Sequence, residues 1–235
     1  MSLILRVDVD KPYGKSNFLK RVASKLTEDI WFPKITALGY MNHVVDFIQF
    51  CNNQKIQGFF YYRNCTLPDK ETKKLLIAGN HKIGFHAENT RNLNSFLSEL
   101  KIFKKNLKIK NIDSFTKHGS GMLKLGKHHY PFYEPNLYIE WSSILGISFH
   151  FGNGICEKSQ DLLSKNNFFS HMFWIEREYR NPDFFDFQKL LELAKTEDVV
   201  VLIHPCNYQA SKEVKEDFML LVQLSFEQKI CWKTF

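Results

Sequence analysis

The sequence predicts an α/β protein, a distorted parallel (β/α) barrel of about seven strands, and three observations carry that expectation. First, short apolar runs rich in β-branched and aromatic residues recur along the chain, with helix-periodic segments between most of them. Second, residues with acid-base or ligand chemistry stand at the ends of several runs: Asp8 and Asp10, His86, His118 and His204. Functional groups of parallel barrels gather at the carboxyl ends of the strands in this way. Third, a chain of 235 residues with 44% hydrophobic content, 22 Phe and 9 Tyr suits one packed domain over 1–235, and its composition argues against disorder.

Residues 3–10 form the first expected strand, stopped by Lys11-Pro12 and Gly14. Strand side chains alternate faces, so Asp8 and Asp10 point the same way. Two like charges that close at the end of a buried strand call for a divalent cation, a shared proton or a basic partner. Residues 15–39 are mixed and read as a loop with a helix near 18–25. Val44, Val45, Phe47, Ile48 and Cys51 recur at helical spacing and predict a helix over 40–53. Residues 57–62 are the second strand. Pro68 opens a Lys-rich helix that Gly79 ends, and 83–86 are the third strand. Leu93, Phe96, Leu97, Leu100 and Phe103 mark one face of the next helix. The fourth strand, 112–116, is stopped by Gly119-Ser120-Gly121. Residues 122–141, aromatic, basic and broken by Pro, read as one long functional loop. Strands at 147–151 and 169–175, a helix over 184–195, a strand over 199–204, a helix over 212–228 and a short strand at 230–232 complete the chain.

The formal charge of +7 is local in origin: residues 101–127 hold eight lysines (101, 104, 105, 108, 110, 117, 124 and 127) against one acid, Asp113. Such a run is either a solvated face or a site for an anionic partner, such as a phosphorylated or nucleotide-linked sugar or an anionic membrane surface. No aromatic-Arg motif accompanies it, so no nucleic-acid partner is expected. The cysteines at 51, 65, 156, 206 and 231 are odd in number, widely spaced and without a CxxC pair, so neither a disulfide framework nor a zinc knuckle is indicated. The N-terminus lacks the pattern of a signal peptide and no apolar run is long enough for a transmembrane segment; the expected location is cytoplasmic.

Asp8-Val9-Asp10, Asn80-His81-Lys82-Ile83-Gly84-Phe85-His86 and Ile203-His204-Pro205, in that order and spacing, resemble the motifs of the polysaccharide deacetylase family, carbohydrate esterases acting on N-acetylated sugars. The resemblance spans most of the chain and implies a barrel of about seven parallel strands. It also implies a metal-dependent hydrolase that removes an N-acetyl group from a sugar or glycan intermediate, which could be phosphorylated or nucleotide- or lipid-linked. By position, Asp8 takes the place of the family's general base, Asp10 and His86 of its metal ligands, and His204 of its general acid. The implied cofactor is a divalent metal ion, zinc first. The family's second metal histidine falls on Thr90, so a third ligand is expected from His118, with Glu88 next. The family's acid-proline-rich third motif with its Arg is replaced by Lys117-His118-Gly119. Lys117, His129, Tyr133 and Trp141 are the candidate substrate contacts, the aromatics as stacking faces for a sugar ring, while His81 reads as structural. Two other readings fit the opening strand. One is a deacetylase-like fold that binds a glycan or protein partner without metal. The other is a phosphatase resembling the haloacid dehalogenases, with Asp8 as nucleophile, Asp10 as acid and Pro182-Asp183-Phe184-Phe185-Asp186 supplying magnesium-binding acids.

Overall fold

The computed structural model describes residues 1–10, 41–119, 135–147, 149–155, 162, 168–180 and 186–235. The expected helix near 18–25, the substrate contacts His129 and Tyr133, and Pro182 to Phe185 lie outside them. The strands are β1 Ser2–Val9, β2 Gly58–Tyr62, β3 Lys82–Ala87, β4 Ser114–Lys117, β5 Phe149–Ile155, β6 Phe168–Trp174, β7 Asp198–Ile203 and β8 Cys231–Trp232. Around them lie α1 Asn42–Asn53, α2 Lys70–Ala78, α3 Leu93–Leu107, α4 Pro135–Leu145, α5 Gln188–Thr196, α6 Pro205–Ala210 and α7 Lys212–Glu227. Every strand pairing is parallel, in the order β2-β3-β4-β5-β6-β7-β1, and β1 pairs back onto β2 to close a seven-stranded barrel. β8 adds a short parallel contact at the start of β1, Ser2 opposite Cys231 and Leu3 opposite Trp232.

Strand alternation divides the apolar residues between two cores. Leu3, Leu5, Val7 and Val9 face the large core between barrel and helices. Ile4 belongs to a second cluster, inside the barrel, with Phe59, Tyr61, Phe151, Phe169, Met172, Val200 and Leu202. The same period of two carries Arg6 and Asp8 inward above Ile4. Hydrophobic filling at the bottom and polar groups toward the top thus follow from one alternating strand.

α3 shows how the outer layer is held. The Asn92 side chain accepts a hydrogen bond from Ser95 N–H and caps the helix, which ends at Lys108 in the left-handed region, φ 58°. Phe96, Leu100, Phe103 and Leu107 form its buried face. Phe96 packs against Phe85's neighbour strand at Phe115 and against Trp141, with ring centroids 5.0 and 5.1 Å apart. Burying one such ring contributes roughly 1.5–3 kcal/mol.

The expected loop over 122–141 is corrected at its C-terminal end, where α4 begins at Pro135. Pro is well suited to a first helical turn, and Tyr138, Trp141 and Leu145 then follow at helical spacing. Trp141 is 2% exposed and packs on Phe96 and Tyr138, which leaves no ring face for a sugar. Its expected role in substrate stacking is therefore replaced by core packing. Among the described residues no helix is long and apolar enough to cross a membrane.

Candidate metal centre

The barrel's closure brings Asp8, Asp10, His86, His118 and His204 to one place from the ends of β1, β3, β4 and β7. His86 Nε2 lies 3.7 Å from Asp8 Oδ2 and 3.8 Å from Asp10 Oδ1. His118 Nδ1 is 3.1 Å from His86 Nε2 and 3.2 Å from Asp10 Oδ1, and His204 Nε2 is 3.9 Å from Asp10 Oδ2. His86 is almost wholly buried, and its other ring nitrogen is hydrogen-bonded to the Thr116 hydroxyl on β4, which directs Nε2 into the cluster. Thr90 is buried and offers a neutral hydroxyl in place of an imidazole.

Asp10, His86 and His118 offer one carboxylate oxygen and two imidazole nitrogens within 4.8 Å of one another. Three atoms separated by 3.1, 3.2 and 3.8 Å lie on a circle of roughly 2 Å radius, the bond length a zinc-sized ion needs to nitrogen or oxygen. The protonation states suit ligands. Burial pushes the His86 imidazole down to about 4, keeping it neutral despite Asp8 and Asp10. Burial alone would raise the Asp10 carboxyl, but His118, His86 and Arg63 outweigh it and hold Asp10 well below the usual carboxylate range. Asp10 Oδ1 is buried and accepts no hydrogen bond of normal geometry, leaving its lone pairs for another partner. The donor set fits a divalent ion.

Residues that sequence reading missed surround these five. Arg6 is fully buried and grips Asp8 with two hydrogen bonds, Nε to Oδ1 at 2.9 Å and Nη2 to Oδ2 at 2.6 Å. Arg6 is held in turn by β5. There a bulge sets two residues, Gly152 and Asn153, against the single Ser170 of β6, and turns the Gly152 carbonyl and Asn153 Oδ1 toward the guanidinium. Asn153 also donates to the Lys117 carbonyl at 2.6 Å. Past the end of β6, Glu176 accepts from His204 Nδ1 at 2.9 Å and from the His204 backbone and Asn207 amide at 3.1 Å each. Burial would lower the His204 imidazole, yet Glu176, Asp10 and Asp8 push it up to about 9. Trp174 lies over the His204 ring at 5.9 Å between centroids. Beyond β2, the buried Arg63 is ion-paired with Glu88 and lies 3.8 Å from Asp10 Oδ1. Asp8, Asp10, Glu88 and Glu176 outnumber Arg6, Arg63 and the protonated His204, so the cluster keeps net negative charge for a cation to balance.

Strand parity was the available signal. Arg6 shares the face of Asp8, Arg63 continues the row of Phe59 and Tyr61, and Glu176 continues that of Trp174. Parity also corrects Lys117 as a substrate contact. Thr116 meets His86 inside the barrel, so Lys117 lies on the opposite strand face with Phe115 and is 4% exposed.

Glu99 on α3 accepts the backbone N–H of Glu88 and of Asn89, fixing the turn just after His86. Burial, and then the nearby Glu88 charge, raises its carboxyl from the ordinary 4.5 to about 7. The folded chain therefore holds this proton more tightly than the unfolded one. That stabilisation is complete below 4.5 and is lost as pH rises through about 7. Wild type should lose about 1 kcal/mol more than Glu99→Gln between about pH 5 and about pH 8, read by urea unfolding at both. Equal losses would show that Glu99 titrates normally.

Comparison of the chain with protein-family models, with curated proteins and with solved structures finds no match in any of the three.

Proposed function

We propose that this protein is a metal-dependent amide hydrolase of the deacetylase type, removing an N-acetyl group from a sugar or glycan intermediate. One observation carries the reading: a three-donor set, Asp10, His86 and His118, adjoins an ionised carboxylate and a protonated imidazole that belong to neither ligand position. When bound there, a divalent ion, zinc first, supplies Lewis acidity to an amide carbonyl and acidifies water. Asp8 then takes the proton of the attacking water. Burial would raise the Asp8 carboxyl, but Arg6 and His86 hold it low, so it is a weak base matched to an acidified water rather than a free one. His204, kept protonated by Glu176, gives its proton to the departing amine nitrogen, which is otherwise a poor leaving group. The acetylated substrate is assigned from the resemblance of the motifs, as a precursor met inside the cell and free, phosphorylated, or nucleotide- or lipid-linked.

Acetate release from N-acetylated sugars, with the zinc-, cobalt- or nickel-loaded protein, tests this reading. His204→Asn should retain metal and lose a factor of about 10²–10⁴ in turnover. Undiminished turnover in that variant would remove His204 as the acid, and the mechanism with it.

A further inference from the structure

α2 and α3 lie side by side on the outside of the barrel, where Lys73 Nζ reaches the Leu107 carbonyl at the end of α3 at 3.4 Å. Residues three and four apart share a helix face. On α3 the exposed face reads Asn94, Ser98, Lys101, Ile102, Lys105 and Lys108. Lys70, Lys74 and Ile77 are exposed on α2. Of the acids on these two helices, the exposed Glu71 pairs with Lys74 and offsets its charge, and Glu99 is turned to the backbone of Glu88 and Asn89. Lys101, Lys105 and Lys108 make no ion pair among the described residues. The macrodipole favours cations in the last turn of α3, which accounts for Lys104 and Lys105 but not for Lys101, or for Lys70 on the neighbouring helix.

Two apolar side chains are exposed on these helices. Ile77 is 75% exposed and Ile102 44% exposed. Lysines whose stems lie along an interface, with aliphatic side chains among them, fit the boundary between anionic headgroups and acyl chains. A nucleic-acid surface would be expected to offer Arg or aromatic stacking groups, and this strip has neither. We propose that the α2–α3 face docks on an anionic lipid surface, with Lys101, Lys105 and Lys108 meeting the headgroups and Ile77 and Ile102 entering the interface. This inference is independent of the chemistry at the barrel mouth.

Sedimentation with phosphatidylcholine vesicles, with and without about a third phosphatidylglycerol, in about 0.1 M salt, tests it. Wild type should bind the anionic vesicles and not the neutral ones. Each lysine near such a surface is worth roughly a fivefold factor, so Lys101→Gln/Lys105→Gln/Lys108→Gln should weaken binding on the order of a hundredfold. Ile77→Ser/Ile102→Ser should weaken it severalfold with all lysines present. These positions are exposed, and circular dichroism of each variant should match wild type. Failure to bind anionic vesicles, or equal binding to neutral ones, would overturn the proposal. So would a duplex oligonucleotide bound as tightly as the vesicles and unaffected by the isoleucine changes.

Discussion

His118→Ala should lose divalent-metal binding, while Thr90→Val should keep it. The two substitutions separate the source of the third ligand. His118 reaches the cluster from the end of β4, 3.1 Å from His86 Nε2 and 3.2 Å from Asp10 Oδ1, whereas Thr90 offers only a neutral hydroxyl, which is not among the usual zinc ligands. Two protein donors hold an ion poorly, because zinc sites with open chemistry use three. Loss of an outer-shell partner alone costs about 10–100-fold in affinity, so loss of a ligand should exceed about 100-fold. Titration with zinc against a competing chelator reads this directly. Unchanged affinity in His118→Ala would show that the cluster does not hold the ion in the proposed way.

The largest stability loss is expected at Arg6. Its side chain is fully buried and both Asp8 oxygens depend on it. Removing one member of a buried pair leaves the other as an uncompensated charge, at a cost of about 3–5 kcal/mol. Arg6→Met should therefore unfold at much lower urea concentration than wild type. Adding Asp8→Asn should restore part of the loss, because a neutral amide no longer needs the guanidinium. The bulge in β5 exists around the same group, so near-UV circular dichroism should change in Arg6→Met before secondary structure is lost. A loss below about 1 kcal/mol, within the range of surface pairs, would contradict this account of the barrel interior.

The fold was legible because its strands are short, apolar and separated by strongly periodic helices. The run into Asp8 and the run 199–204 needed no tertiary information. α4 was hidden because Pro135 and the surrounding aromatic and basic residues resemble a loop, although Pro is favourable at a helix start. α6 was missed for a related reason: it is only six residues long and opens on Pro205. In the site, residues at strand ends could be read one strand at a time. Partnerships between strands could not. Arg6 lies only two residues from Asp8, and alternation alone places both on one face. That the pair is locked depends on β5 bulging opposite, which no local pattern in 149–155 announces. Glu176 likewise depends on β6 and β7 being neighbours, where it meets His204.

The central claim is that Asp10, His86 and His118 form a metal site, and elemental analysis of the purified protein tests it most directly. After mild dialysis, wild type should carry about one zinc or other divalent ion per chain, and Asp10→Ala and His86→Ala should carry none, as three-donor sites require. Absence of bound metal from wild type, even after incubation with zinc, cobalt or nickel, would contradict the hydrolase reading. It would leave a barrel whose buried carboxylates and imidazoles serve a metal-free binding site.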